Sequence, residues 1–309
     1  MKKSVLSTVC IVILFATTIN AQRVSPDSSA LIALTPEWKG ERFSDGRPKV
    51  ADKYLDRLKK VHLEEAWGIL RNKGYQNQFE GDWMIIHPDS VMTGRVVTAQ
   101  YMPLRPDYDK LIKDQGKVEG RIGATNSWPI DVLKNGDVYV ADSYGKVVDG
   151  TLIGDNLGNA IYAKSLRGVI FYGSVRDVEG LEDIKGFNAW IKGYDPSYIQ
   201  QMMLAGINVP VRIGRASVLP GDVVLAKKGG VVFIPAHLVE EVVTNAEFIA
   251  LRDEFGHQRL REGKYTPGQI DTQWTDAIKK DFLQWIKDNP GKVPMTMEEL
   301  QTLMRNRTW

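Results

Sequence analysis

Cysteine is almost missing from this chain: Cys10 is the only one in 309 residues, and it lies in an apolar stretch close to the start. A body without cysteine has no disulfide, no thiolate nucleophile and no cysteine metal ligand, so its stability must come from a packed core. Histidine is nearly as scarce. His62, His87, His237 and His257 are neither paired at metal-ligand spacing nor next to any motif, which argues against a zinc site of ordinary design and reads as surface or half-buried side chains. Runs of one charge are also lacking: 40 Lys and Arg face 38 Asp and Glu, with no basic stripe and no interleaved aromatics, so no nucleic-acid partner is expected. No Gly-Lys-Ser/Thr follows Gly221-Asp222 or Gly229-Gly230, which excludes a phosphate loop of that kind, and no glycine-rich nucleotide fingerprint follows a first strand.

What is present begins with Lys2 and Lys3, an apolar stretch over residues 5–17 and a plausible cut after Ala21. This layout predicts a secretory signal peptide over 1–21, too short in its apolar part to span a bilayer. Ser7-Thr8-Val9 before Cys10 makes a poor lipoprotein signal. The expected mature protein is periplasmic or secreted, with no stable membrane anchor. Losing Lys2 and Lys3 with the leader brings 40 basic residues to 38, level with the 38 acidic ones, so the mature net charge is near zero. With 43% hydrophobic and 25% charged residues, a packed globular core is expected.

Along the chain, residues 22–48 mix Ser, Pro, Gly and charge and read as an extended arm, with Pro36-Glu37-Trp38 available to pack it onto the body. Tyr54, Leu55, Leu58, Val61, Leu63, Ala66, Trp67 and Leu70 fit one helical face, and Gly74 follows, so a single amphipathic helix is expected over about 50–73. Beyond Gly81 short apolar runs between turn residues predict strands at 94–101, 137–142, 168–172, 209–213, 222–226 and 230–234, with helices near 156–166, 197–205 and 236–256. Such an order suggests strands in more than one layer with helices against them. Trp274, Ile278, Phe282, Trp285 and Ile286 then recur at helical spacing, and a short helix is expected over 296–305. The aromatic stripe reads as packing surface. The expected organisation is a leader at 1–21, an arm at 22–48, a main domain at 49–245 and a helical extension at 246–309.

Chemistry concentrates at two turns. Gly154-Asp155-Asn156-Leu157 opens a helix whose unpaired amides favour an anion, with glycine allowing close approach. After the next apolar run come Arg176, whose planar fork suits a carboxylate or oxyanion, and Asp177, whose oxygens suit Mg²⁺ or Mn²⁺ with waters retained. Bland alternatives are a helix cap for Asp177, a plain turn at Gly154 and a surface ion pair for Arg176–Asp177.

These same residues carry a resemblance. Gly154-Asp155-Asn156-Leu157, Gly168-Val169-Ile170 and Gly173-Ser174-Val175-Arg176-Asp177-Val178 resemble the RraA-like family, which includes 4-hydroxy-4-methyl-2-oxoglutarate aldolases and regulators of ribonuclease activity. Gly94-Arg95-Val96-Val97-Thr98-Ala99, Pro220-Gly221-Asp222-Val223-Val224 and Gly230-Val231-Val232-Phe233-Ile234-Pro235 extend it over about 50–245. The resemblance implies an α/β fold, the α/β/β/α swivelling-domain sandwich, here with a C-terminal helical extension, assembled as a homotrimer or dimer of trimers with sites between subunits. It implies a metal-dependent lyase that cleaves a 4-hydroxy-2-oxo acid or decarboxylates oxaloacetate. In that scheme Gly154, Asp155, Asn156, Leu157 and Arg176 bind a small 2-oxo acid, Arg176 and Asp155 assist the reaction, and Asp177 serves the metal. The rival expectation is a noncatalytic binding or regulatory protein on the same scaffold. Two departures bear on the choice. The family pattern places Glu or Asp where Gly180 stands, with Glu179 one position early and Glu182 and Asp183 further on; and Lys227-Lys228 replace residues usually acidic. Glu240 and Glu241 lie near where some aldolases borrow a glutamate from a neighbouring subunit, but solvation explains them equally well.

Overall fold

The computed structural model describes residues 23–306; the expected leader, with Cys10, lies outside them. In chain order the helices are α1 (Ser28–Leu34), α2 (Asp52–Leu58), α3 (Leu63–Asn72), α4 (Pro106–Val118), α5 (Trp128–Asp131), α6 (Asp155–Ser165), α7 (Val178–Glu182), α8 (Val239–Arg261), α9 (Pro267–Ile270), α10 (Asp276–Asp288) and α11 (Met297–Asn306). The strands are β1 (Phe79–Glu80), β2 (Met84–Ile85), β3 (Met92–Pro103), β4 (Asp137–Asp142), β5 (Val169–Val175), β6 (Ala189–Tyr194), β7 (Met202–Ile207), β8 (Val211–Ile213), β9 (Ala216–Val218), β10 (Val223–Lys227) and β11 (Gly230–Ile234).

Nine strands form one sheet in the order β1-β11-β10-β3-β4-β5-β6-β2, with β7 also paired to β3. β3 pairs antiparallel with β10 over its first residues, parallel with β4 from Arg95 to Gln100, and antiparallel with β7 from Ala99 onward, where the register shifts. The side-chain period of two then separates the layers. Val96, Val138, Val140 and Ile170 meet Val224, Ala226, Val231 and Phe233 in an inner cluster. Their alternates, such as Val97, Ala99, Tyr139 and Phe171, pack with Ile112, Trp128 and Ile161 from α4, α5 and α6. The alternates on β10 and β11, Val223, Leu225, Val232 and Ile234, pack instead with Leu55, Leu70 and Val243 from α2, α3 and α8. Helices therefore cover both outer faces of a sheet folded on itself, which is the α/β/β/α sandwich.

The region expected as one helix is two. α2 stops at Leu58, buried Val61 turns into the core, and Glu65 accepts the His62 amide at 3.2 Å to cap a second start. The helix expected at 197–205 is not formed: residues from Met202 join β3 as β7. A short apolar run such as Met202-Met203-Leu204 has no period that distinguishes the two states, and β3 offers an open edge beyond its pairing with β10. α4 and β6 match no element expected from the sequence. The arm carries α1, sets Trp38 against the helix-covered face of β10 and β11, and is knotted by Arg42, which donates to the carbonyls of Thr35, Trp38 and Gly46. Arg47 then enters the body, fully buried, and donates to Asp137 Oδ2 at 3.0 Å.

The aromatic stripe of the tail packs Trp274, Phe282 and Trp285 against Phe248, Leu251 and Phe255 of α8. Arg57 of α2 donates to Glu247 on α8 and Glu299 on α11, tying this extension to the body. Among the described residues no helix is long and apolar enough to cross a membrane.

Candidate functional site

The parallel pairing of β4 with β5 puts their carboxyl ends on one edge of the sheet, where open α/β sheets leave a crevice. After β4 the chain loops outward and returns beside the end of β5. Thr151 bridges Ser174, the Leu152 amide donates to Ser174 O at 3.0 Å, and the Arg176 amide donates to Ile153 O at 3.0 Å. Those bonds zip the Gly154 turn onto the Arg176-Asp177 turn. The expected helix at 156–166 is α6, starting at Asp155 with Gly154 as its N-cap.

Glycine at 154 is a steric requirement of this junction. A Cβ there would overlap Asp177 Oδ2 and stand 3.1 Å from Arg176 Nε. Of the free amides at the start of α6, that of Asn156 is taken by the Asp155 side chain at 2.7 Å, and that of Gly158 by Gly154 O at 2.9 Å. The amides of Gly154, Asp155 and Leu157 remain as the donors of the cradle. Asp155 thus shapes the turn with Oδ1.

Arg176 and Asp177 are close to half exposed, with Nε and Oδ2 3.4 Å apart, a loose contact that leaves both heads available. Asp177 has a left-handed backbone, φ 53°, and sits at the cap position of α7, yet its side chain makes no capping hydrogen bond. The helix-cap alternative therefore does not hold, and its oxygens carry only the loose Arg176 contact. Arg176 lines two adjoining hollows. One, of about 80 Å³, is bounded by Gly154, Asp155, Asn156, Leu157, Asn126 and Tyr198. The other, of about 540 Å³, is bounded by Asp177, Glu179, Glu182, Tyr194 and Ile85 among others. All the sequence-derived site residues, Gly154, Asp155, Asn156, Leu157, Arg176 and Asp177, come together here.

Gly180 fits against Asp155: a Cβ at 180 would lie 2.8 Å from Asp155 Cβ. An acidic side chain cannot start from that position without displacing Asp155, so the departure from the family pattern is tied to where Asp155 stands. Glu179 and Glu182 do line the cleft, while Asp183 ends α7. Among the described residues no three His, Cys, Asp or Glu side chains converge on one point. Carboxylates set apart along an open cleft, Asp177, Glu179 and Glu182 among them, suit a hard, strongly hydrated ion of the Mg²⁺ type, which keeps most of its waters.

Glu241 pairs with Lys73 at 2.8 Å, and Glu240 faces Tyr54, whose hydroxyl pKa is pushed up to about 12 by burial and by that glutamate. Neither enters the cleft of this chain. Lys227 lies beside Glu65 and Glu64, its pKa lowered by burial. Asn126 and Tyr198 were not foreseen. Asn126 donates to Leu152 O at 2.7 Å, holding the segment before Gly154, and only the folded chain brings it there.

A family model described as RraA-like, Aldolase/RraA, matches residues 48–233. A putative 4-hydroxy-4-methyl-2-oxoglutarate aldolase of Xanthomonas campestris is 32% identical over 109 residues, 35% of this chain and 64% of that protein. An uncharacterised protein of Methanocaldococcus jannaschii is 33% identical over 101 residues, 33% of this chain and 48% of that protein, so this chain spans only about half its length. Among solved structures, RraAS2 of Streptomyces coelicolor, described as an unusual member of the RNase ES inhibitor RraA protein family, superposes with a TM-score of 0.59 at 25% identity over 68% of this chain and all of that one. An uncharacterised protein from Pseudomonas syringae gives a TM-score of 0.60 at 20% identity, over 75% of this chain and 98% of that one, a likeness of fold. With the matched segment covering more than half of the sequence and carrying both turns of the site, the chain belongs to the RraA-like family.

Proposed function

We propose that this protein is a divalent-metal-dependent lyase acting on small 2-oxo acids, by retro-aldol cleavage of a 4-hydroxy-2-oxo acid or by decarboxylation of an oxaloacetate-like acid. The observation that carries the reading is the contact at Gly154, where the lack of a side chain lets a backbone cradle, a guanidinium and a carboxylate stand side by side across two adjoining hollows. The amides of Gly154, Asp155 and Leu157 would hold the substrate carboxylate. Asp177 would hold Mg²⁺ or Mn²⁺, which supplies Lewis-acid polarisation of the 2-oxo group. In the retro-aldol direction the 4-hydroxyl loses its proton, the bond between C3 and C4 breaks, and the electron pair passes to the 2-oxo group to give the pyruvate enolate. Arg176 faces that growing negative charge with a permanent positive one. Asp155, with Oδ1 occupied by the Asn156 amide, has Oδ2 left to accept or return a proton through water.

The protein lacking residues 1–21, supplied with Mg²⁺, should release pyruvate from 4-hydroxy-4-methyl-2-oxoglutarate or from oxaloacetate, and Asp177→Ala should abolish it. Undiminished turnover in that variant, or after chelation, would remove the metal mechanism. Names given to relatives also support a binding or regulatory role. A stable protein partner in a pull-down, together with no lyase activity across a panel of oxo acids, would favour that reading. Tyr194 and Tyr198, 59% and 61% exposed beside the two hollows, are apolar surface of the kind a neighbouring copy covers. A trimer in light scattering supports a site completed between subunits, and a monomer at working concentration opposes it.

A further inference from the structure

We propose that a second cavity, at the opposite ends of the same strands, binds a small multiply charged anion bearing phosphate or carboxylate groups. This cavity, of about 420 Å³, lies before β5 and is lined by Lys59, His87, Arg167, Lys185 and Asn188, with Glu182 as its single carboxylate. Its size is that of an ordinary small-molecule site.

The cationic wall is built, not merely exposed. α6 ends at Leu166, a non-glycine residue in the left-handed region with φ 54°. That turn folds Arg167 back, so Nε donates to Thr93 O and Nη1 to Leu166 O, both at 2.8 Å. Two carbonyls fix the guanidinium without neutralising it, and among the described residues Nη2 has no acceptor. A fork held in this way has already given up the freedom that ordering it on a ligand would cost. Lys185 makes no ion pair among the described residues. Lys59 pairs with Asp56 at 2.8 Å and Arg167 attracts the same carboxylate more weakly, which leaves Lys185 unpaired and Arg167 only partly compensated.

The facing wall is stiff. Asn188, 4% exposed, accepts from the amides of His87 and Ala189 and donates to His87 O and Ser90 Oγ, pinning residues 87–90 against β6. A fixed guanidinium, an unpaired ammonium and a rigid polar rim form a site for oxyanions. Glu182 also lines the Arg176 cleft, so an anion bound here presses on a residue shared with it.

Titration calorimetry without divalent metal, using inorganic pyrophosphate and citrate as probes, tests the assignment independently of any lyase activity. Saturable binding is expected for at least one probe; pyrophosphate alone marks a phosphate ligand, citrate alone a carboxylate. Lys185→Glu should weaken that binding by about tenfold or more, and Arg167→Ala likewise, with Arg167→Lys between wild type and Arg167→Ala because it restores charge but not the fork. Arg176→Ala, which removes the cation of the other cleft, should keep the binding that Lys185→Glu loses. Lys185 is exposed, so its variant folds even if Arg167→Ala does not. No heat with either probe at millimolar concentration, or binding lost in Arg176→Ala and unaltered in Lys185→Glu, overturns the proposal.

Discussion

Replacing Gly154 by alanine isolates the contact on which the site rests. The backbone at 154, φ −119° and ψ −165°, is extended and open to any residue, so the added methyl carries no main-chain strain. It would stand 3.2 Å from Asp177 Cγ and 3.1 Å from Arg176 Nε, with the Asp177 carboxylate oxygen overlapped outright. Both are ends of half-exposed side chains, so they can swing away by about 1 Å at little cost to the fold, and a displacement of that size at reacting groups costs roughly 100-fold in rate. Alanine is also a poorer N-cap than glycine, by about 1 kcal/mol at most. The expected result is a thermal midpoint within a few degrees of wild type, with pyruvate release and Mg²⁺-dependent oxalate affinity both down roughly 100-fold, about 2.7 kcal/mol. Oxalate is a suitable probe because it is planar like the enolate. Wild-type turnover and oxalate affinity in Gly154→Ala would refute the reasoning, since the two turns would then not act on one ligand.

Asp137→Ala leaves Arg47, fully buried, with Asp45 at 2.9 Å as its remaining carboxylate partner, and denaturant unfolding should show a loss of up to about 3 kcal/mol; an unchanged midpoint would mean that Asp45 alone satisfies Arg47. Asp222, fully buried and held by the Leu219 amide at 2.8 Å, has its carboxyl pushed up to about 7 by burial. The folded state therefore binds its proton more tightly than the unfolded chain, so this contribution is complete below the ordinary carboxyl range and is lost as pH rises through about 7. Asp222→Asn should flatten the fall in thermal midpoint between about pH 4 and pH 7, and a slope identical to wild type would show that Asp222 is not its source.

Much of the fold could be read in advance because buried parallel strands leave a strong trace: Asp137-Val-Tyr-Val-Ala-Asp142 and Val169-Ile-Phe-Tyr have little choice but to be strands, and both are. Apolar content without period is less informative: residues 197–205 suggest a helix, and Met202–Ile207 form β7 instead. The break between α2 and α3 was hidden because a helical face continues in register across residues 59–62. The turns of the site were legible through glycine and charge, whose spacing survives in one dimension. Asn126, Tyr198 and the pairing of Gly180 with Asp155 were not, since each is a relation across the folded surface. The absence of an acid at 180 looked like a lost ligand in the sequence; in three dimensions it is the space that Asp155 fills.

The strand order ends on two stubs, β1 and β2, each two residues long. So brief a terminus offers hardly any exposed main-chain ladder for a foreign β segment to extend, a safeguard against runaway stacking in a protein with so much Val and Ile in extended runs. At these two ends copies that associate would recognise one another through side chains, where shape and charge can discriminate, and the longer open margin of the sheet is β7, paired to β3 alone.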